Sequence, residues 1–171
     1  MVVGVSAVDK YETTFQRKGL ELRMLRRDAS SVERVVELLK NIESEFLFPT
    51  DSEEMLHMYA EKLIENGYNF VLMKDGLDMG LLSVYANDFT TKMAFCSTIG
   101  LLPSYRGGYT IITFIKFGIE FLREAGMKFC KAEVSKDNTK WIALLKRYGF
   151  QIERETDNNS YMIVLDLYTN K

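Results

Sequence analysis

The stretch Leu101-Leu102-Pro103-Ser104-Tyr105-Arg106-Gly107-Gly108-Tyr109-Thr110-Ile111 reads as a strand end, a glycine turn and a helix start. Successive backbone N–H groups at such a turn, with a helix N-terminus behind them, form a site for phosphate oxygens. Glycine carries no Cβ, so the main chain there can come close to a ligand. A Gly-Gly turn between a strand and a helix is by itself mostly a turn, and a second block is needed to give it meaning. Histidine and cysteine offer less. His57 has no partner histidine, and Cys96 and Cys130 lack the CxxC spacing and lie in apolar stretches, as reduced core thiols do. No metal site is expected.

The elements that would position this turn follow from changes of hydrophobic period. Leu20 to Leu25 alternates apolar and polar residues, the pattern of a half-buried strand. Asp28 or Ser30 then starts a helix, Ser30 with Glu33 at capping-box spacing, and Val32, Val35, Val36 and Leu39 share one face. Thr50 with Glu53 starts a second helix carrying Met55, Met58, Tyr59 and Leu63, which Gly67 ends. Tyr68 to Met73 and Met79 to Tyr85 flank Asp75-Gly76, a short-range hairpin signal, and Met93 to Leu102 completes an antiparallel meander that Pro103 stops.

Ile111, Ile112, Ile115, Ile119 and Leu122 recur at helical spacing as far as Ala125, with Gly126 at the cap. Met127 to Val134 returns to a strand, Asn138 to Tyr148 forms a short helix, and two last strands lie around Phe150 to Arg154 and Tyr161 to Leu167. Residues 1–19 show no sustained period and read as an N-terminal arm or an added edge element. Residues 20–171 then form one α/β (α+β) domain with a mixed sheet covered by helices.

Composition fits this. At 171 residues, 47% apolar and 27% charged, the chain has the size and usage of one ordinary domain. Its 22 basic and 24 acidic residues are scattered, so no nucleic-acid partner is expected. Met1 to Ala7 lacks the basic flank and length of a secretion signal, and no apolar run approaches the roughly 20 residues of a membrane span. No membrane partner and a cytoplasmic location are expected.

The second block is Glu133-Val134-Ser135-Lys136-Asp137-Asn138, followed by Trp141 to Phe150. Together the two blocks resemble the GNAT superfamily of acetyltransferases. The family's pyrophosphate loop reads Arg/Gln-x-x-Gly-x-Gly/Ala after a strand that often ends Val-x-Pro. Its next strand reads Glu-Val-x-x-x-Asn, then come a helix and Gly-Phe. Arg106 stands at the arginine position, although the two glycine positions counted from it fall on Tyr109 and Ile111, and counted from Tyr105 they fall on Gly108 and Thr110.

The resemblance implies a GNAT-like, mostly antiparallel sheet with splayed parallel strands and about four flanking helices. It implies an N-acetyltransferase that moves an acetyl (acyl) group from acetyl-CoA to a primary amine by direct attack on the thioester. The acceptor would be a small molecule or a peptide, and the protein a monomer or homodimer. Leu101 and Leu102 would pair with the pantetheine arm and offer an N–H to the thioester oxygen. Arg106, Gly107, Gly108, Tyr109, Thr110 and Ile111 would hold the pyrophosphate. Asn138 would bond the cofactor or brace the strands, and as a residue it also suits a helix N-cap.

An ammonium must lose a proton before it attacks, and Glu133 aligns with the glutamate that serves as base in some ribosomal-protein N-acetyltransferases of this family. The family's acid, a tyrosine seven residues after the asparagine, is Leu145 here, and Tyr148 one turn later reads as core. His57, Glu45, Tyr85 and Asp88 could line an acceptor pocket. A degenerate acyl-CoA-binding module that has lost turnover is the alternative.

Overall fold

Alternation of apolar and polar residues builds the strands, and a period of 3.6 builds the helices that cover them. The computed structural model describes residues 5–44, 46 and 52–169. Its order is α1 (Val5–Gln16), β1 (Glu21–Met24), α2 (Ala29–Asn41), β2 (Glu43–Ser44), α3 (Glu53–Asn66), β3 (Tyr68–Lys74), β4 (Leu77–Tyr85) and β5 (Met93–Leu101). A 3₁₀ turn (Pro103–Tyr105) leads to α4 (Thr110–Glu124), β6 (Phe129–Ser135), α5 (Thr139–Arg147), β7 (Gln151–Glu155) and β8 (Ser160–Asp166). Among the described residues no helix is long and apolar enough to cross a membrane.

The sheet runs β1-β3-β4-β5-β6-β8-β7, with β2 pairing β5 off this path. Every pairing is antiparallel except β5 with β6. The β3–β4 hairpin turns on Asp75 (φ 52°) and Gly76 (φ 79°), the two positive φ values of the tight hairpin that Asp-Gly favours.

Side-chain alternation divides the core between the two faces. Val71 and Leu81 point to the face covered by α2 and α3, where Val35, Leu39, Ala60 and Leu63 are buried. Phe70, Leu72 and Leu82 point to the other, under α1, α4 and α5. There Phe70 meets Phe117 at 4.8 Å and Phe121 at 4.9 Å between ring centroids, both close to edge-to-face. A phenylalanine buried this fully contributes about 1.5–3 kcal/mol from lost water contact alone.

Two departures from expectation are local, at α1 and at the start of α3, and the choice of cap for α2 falls on Asp28. Residues 5–16, read as part of an arm or edge element, form α1, and its Phe15 is fully buried against Phe114 in the main core. That gives five α-helices around the sheet rather than about four. Asp28 caps α2 by accepting the Ser31 N–H at 2.8 Å, and the Ser30 hydroxyl donates to Asp28 instead of capping. Ser52 caps α3 through the Met55 N–H at 3.0 Å, while Thr50 lies outside the described residues.

Candidate active site

The parallel strands part almost at once. β5 and β6 pair only from Met93 with Phe129 to Phe95 with Lys131, and beyond that each continues alone. A bulge in β5 accompanies the parting. Ser83 pairs with Thr98 and Val84 with Cys96, so Ser97 has no partner on β4. The inward positions of β5 shift with it, from Ala94 and Cys96 to Ile99 and Leu101, a spacing of three where a regular strand has two.

One edge of β5 is taken by β4 along its length. The other, facing β6, is paired with β6 up to Phe95 and with β2 at Gly100 and Leu101. Among the described residues nothing pairs with that edge from Cys96 to Ile99. An unpaired strand edge of this kind offers main-chain N–H and C=O groups to an extended ligand. Leu101 and Leu102, the expected thioester contacts, are placed differently. Leu101 lies between β4 and β2, and the Leu102 N–H is already given to the Met79 carbonyl at 2.8 Å.

At the end of β5 the 3₁₀ turn uses up the Tyr105 and Arg106 N–H groups on Leu102 and Pro103 carbonyls. From Gly107 to Ile111 no N–H meets an acceptor among the described residues. Gly107 has φ +97°, and a Cβ on either Gly107 or Gly108 would meet nothing within 4 Å. Leu101, Arg106, Gly107, Gly108 and Ile111 line one small cavity here, of about 60 Å³. Tyr109 stands before the first turn of α4 and Thr110 begins it, with the Tyr109 side chain 78% exposed. Five unengaged amides at a helix N-terminus, with glycine space in front, fit a diphosphate.

β6 carries Glu133 on the face opposite Cys130, Ala132 and Val134, which point into the core. Its Oε2 accepts from Ser160 Oγ at 2.5 Å and Asn158 Nδ2 at 3.3 Å, while Thr156 Oγ1, 3.4 Å away, shares its one proton between this oxygen and Ser160 Oγ. Oε1 takes none of these bonds. Lys131, one turn of the pleat away, pairs with Glu153 at 2.9 Å. The three donors come from the β7–β8 turn, whose residues Asp157-Asn158-Asn159 read in the sequence only as a turn. Their distance along the chain from Glu133 hid this contact.

Asn138 stands at the N-cap of α5 but its side chain makes no capping bond. Trp141 and Leu145 follow on the buried face of α5, Leu145 at 2% exposure. Leu145, Phe46, Cys96, Ile99 and Cys130 share a cavity of about 40 Å³ whose lining side chains are apolar or thiol, beneath the point where the strands part. The Tyr148 ring packs on the main core, as its helical spacing suggested. On the α3 side, Tyr59 bonds the Ser97 hydroxyl at the bulge and lies 3.4 Å from Thr98 Oγ1, and burial pushes its phenol up.

The other acceptor-pocket candidates have structural partners. His57 bridges α2 and α3, with Nε2 3.0 Å from Glu33 and Nδ1 2.8 Å from Glu61. Asp88 holds the turn after β4 through the N–H groups of Thr90 and Thr91. Tyr85 is half-buried, its phenol pushed up to about 12 by burial, with Tyr59 adding a smaller effect. Glu45 lies outside the described residues. No cluster of three metal-binding side chains exists among the described residues.

The family model described as acetyltransferase (GNAT) family matches residues 35–150. No curated protein matches the sequence. Among solved structures, spermidine N-acetyltransferase from Vibrio cholerae superposes with a TM-score of 0.65 at 20% identity, covering 88% of this chain and 95% of that one. The ribosomal-protein-S18-alanine N-acetyltransferase from Escherichia coli gives 0.65 at 17% identity, covering 85% and 94%. A GNAT family acetyltransferase from Elizabethkingia anophelis with acetyl-CoA bound gives 0.65 at 11%, covering 86% and 98%.

Proposed function

The chain belongs to the GNAT family of acetyltransferases, and from that premise we propose that it is an N-acetyltransferase that acetylates a primary amine with acetyl-CoA. The row of unengaged amides from Gly107 to Ile111 carries this reading. It is supported at the other end by the unpaired β5 edge from Cys96 to Ile99.

Acetyl-CoA, when bound, supplies an acetyl thioester. The amides of 107–111 bind its diphosphate, with the α4 N-terminus adding a favourable dipole. The open edge of β5 takes the pantetheine arm as an added strand and directs an N–H to the thioester oxygen, where charge builds during attack. Glu133 removes the ammonium proton so that the amine attacks the thioester directly. Its Oε2 is held by Ser160, Asn158 and Thr156, which leaves Oε1 to take the proton. Leu145 has no proton to give, so the departing thiolate takes, through water, the second proton that the attacking nitrogen sheds as the amide forms. The similar structures name two kinds of acceptor, a polyamine and a protein alanine, and both are candidates for this site.

A second reading has its own support. Buried Leu145 cannot donate a proton, and β2 occupies part of the edge an extended ligand would use. Both suit a module that binds acyl-CoA without turnover. Mixing the protein with acetyl-CoA and a panel of amino sugars, amino acids, polyamines and peptides, while following free thiol, separates the readings. Amine-dependent thiol release supports transfer. Calorimetric binding of CoA with no release across the panel supports the module and overturns transfer.

A further inference from the structure

Among the described residues two buried side-chain polar atoms lack a hydrogen-bond partner, and one is Nε1 of Trp141. The residue is 5% exposed. A buried indole N–H is ordinarily paired, because water would otherwise have satisfied it and burial removes that water. One left bare in the free protein is a site waiting for an acceptor.

Its position says which acceptor. Trp141 lies in the first turn of α5, three residues after Asn138. Its ring packs on Phe46, with centroids 5.8 Å apart and planes at 62°. Phe46 follows β2, which sits on the β5 edge facing β6, and it lines the apolar cavity with Cys96, Ile99, Cys130 and Leu145. The indole therefore stands behind Phe46, one ring away from the cavity beneath the parted strands, and is not among the residues that line the cavity at the glycine turn.

The indole nitrogen donates and cannot accept, so its partner must carry a lone pair. The ammonium nitrogen of an acceptor substrate has none, and any oxygen that an acceptor carries is told apart by titrating coenzyme A with no acceptor present. The diphosphate has its own donors at the glycine turn. The amide carbonyls of a pantetheine arm remain. We infer that the Trp141 indole N–H donates a hydrogen bond to a carbonyl oxygen of the pantetheine arm of acyl-CoA. The assignment rests on the acyl-CoA reading of the site and adds a side-chain contact to its main-chain ones.

Trp141 is the chain's single tryptophan, so the uniformly ¹⁵N-labelled protein gives one indole N–H cross-peak. Coenzyme A and adenosine 3′,5′-bisphosphate, which has the nucleotide but no pantetheine, are titrated separately. The cross-peak is expected to shift with coenzyme A, saturating at the calorimetric Kd, and to stay in place with the bisphosphate. Trp141→Phe is expected to weaken coenzyme A by about tenfold and leave the bisphosphate unchanged, the scale of one lost hydrogen bond. A stationary cross-peak at saturating coenzyme A, or a Trp141→Phe protein that binds it as wild type does, overturns the assignment and leaves the proposed activity standing. The cross-peak needs no variant, so a misfolded Trp141→Phe protein does not decide the matter. If neither ligand binds wild-type protein, the acyl-CoA reading falls and this assignment falls with it.

Discussion

The Ser160 hydroxyl donates to Glu133 Oε2 at 2.5 Å, across 27 residues of sequence. It joins the outer end of β8 to the middle of β6 and fixes one oxygen of a carboxylate whose other oxygen is open. A base works best when its orientation costs nothing at the moment of proton transfer, and this contact supplies that orientation.

Replacing Glu133 with Gln keeps the shape and removes the basicity. The turnover of the best amine should fall by about 10²- to 10³-fold while the calorimetric Kd for CoA holds. Ser160→Ala frees the carboxylate without removing it, and about a tenfold loss is expected. Equal rates for wild type and Glu133→Gln would show that Glu133 is structural.

The glycine turn separates binding from folding. A Cβ at Gly108 meets nothing within 4 Å, so Gly108→Asp should melt near the wild-type temperature. Its carboxylate faces the place proposed for the diphosphate, and CoA should bind at least about tenfold more weakly. Gly107→Ala differs, because φ +97° strains any L side chain, and it should cost about 1 kcal/mol of stability or more. Calorimetry and thermal melts on the two variants check the contrast.

His57 is the chain's one histidine, so its ring proton titration by NMR is unambiguous. The hydrogen bond that its ring N–H donates to Glu33, with Glu61 on the other nitrogen, raises its pKa above the ordinary 6.5. A raised folded-state value stabilises most below 6.5, and that contribution is lost as pH rises through the folded-state pKa. The Tm gap between wild type and Glu33→Gln should therefore be widest below 6.5 and close at higher pH. A midpoint at or below 6.5 contradicts the clasp.

Burial pushes the Cys130 thiol up to about 12 and the Cys96 thiol well above its ordinary value. The thiolate is the reactive form, so native protein should give almost no reaction with a disulfide reagent at pH 8. Denatured protein should give both thiols. Rapid reaction in the native state would mean that the strands part more widely than the structure shows.

Much of the scaffold was legible in the sequence because strong local signals agreed with the fold. Asp75-Gly76 turns the hairpin, and the isoleucines from Ile111 to Ile119 lie along α4. Helix α1 was missed because its buried stripe is narrow, one side chain per turn at Ala7, Tyr11 and Phe15, with no capping signal recognised. That spacing of four was the clue. The β5 bulge had a clue as well, in the step from Cys96 to Ile99 that breaks the alternation. β2 is two residues long and has no period to read. The contacts of Glu133 with Thr156, Asn158 and Ser160 could not be read at all, since only the β6–β8 register brings them together.

The central claim is that the main chain from Gly107 to Ile111 presents its amides to the diphosphate of coenzyme A. A crystal structure of the protein grown with excess coenzyme A measures this directly. The account predicts diphosphate oxygens within about 3 Å of those nitrogens, with the pantetheine running along β5 from Cys96 to Ile99. Coenzyme A bound elsewhere, with that turn empty or folded against its neighbours, would contradict it.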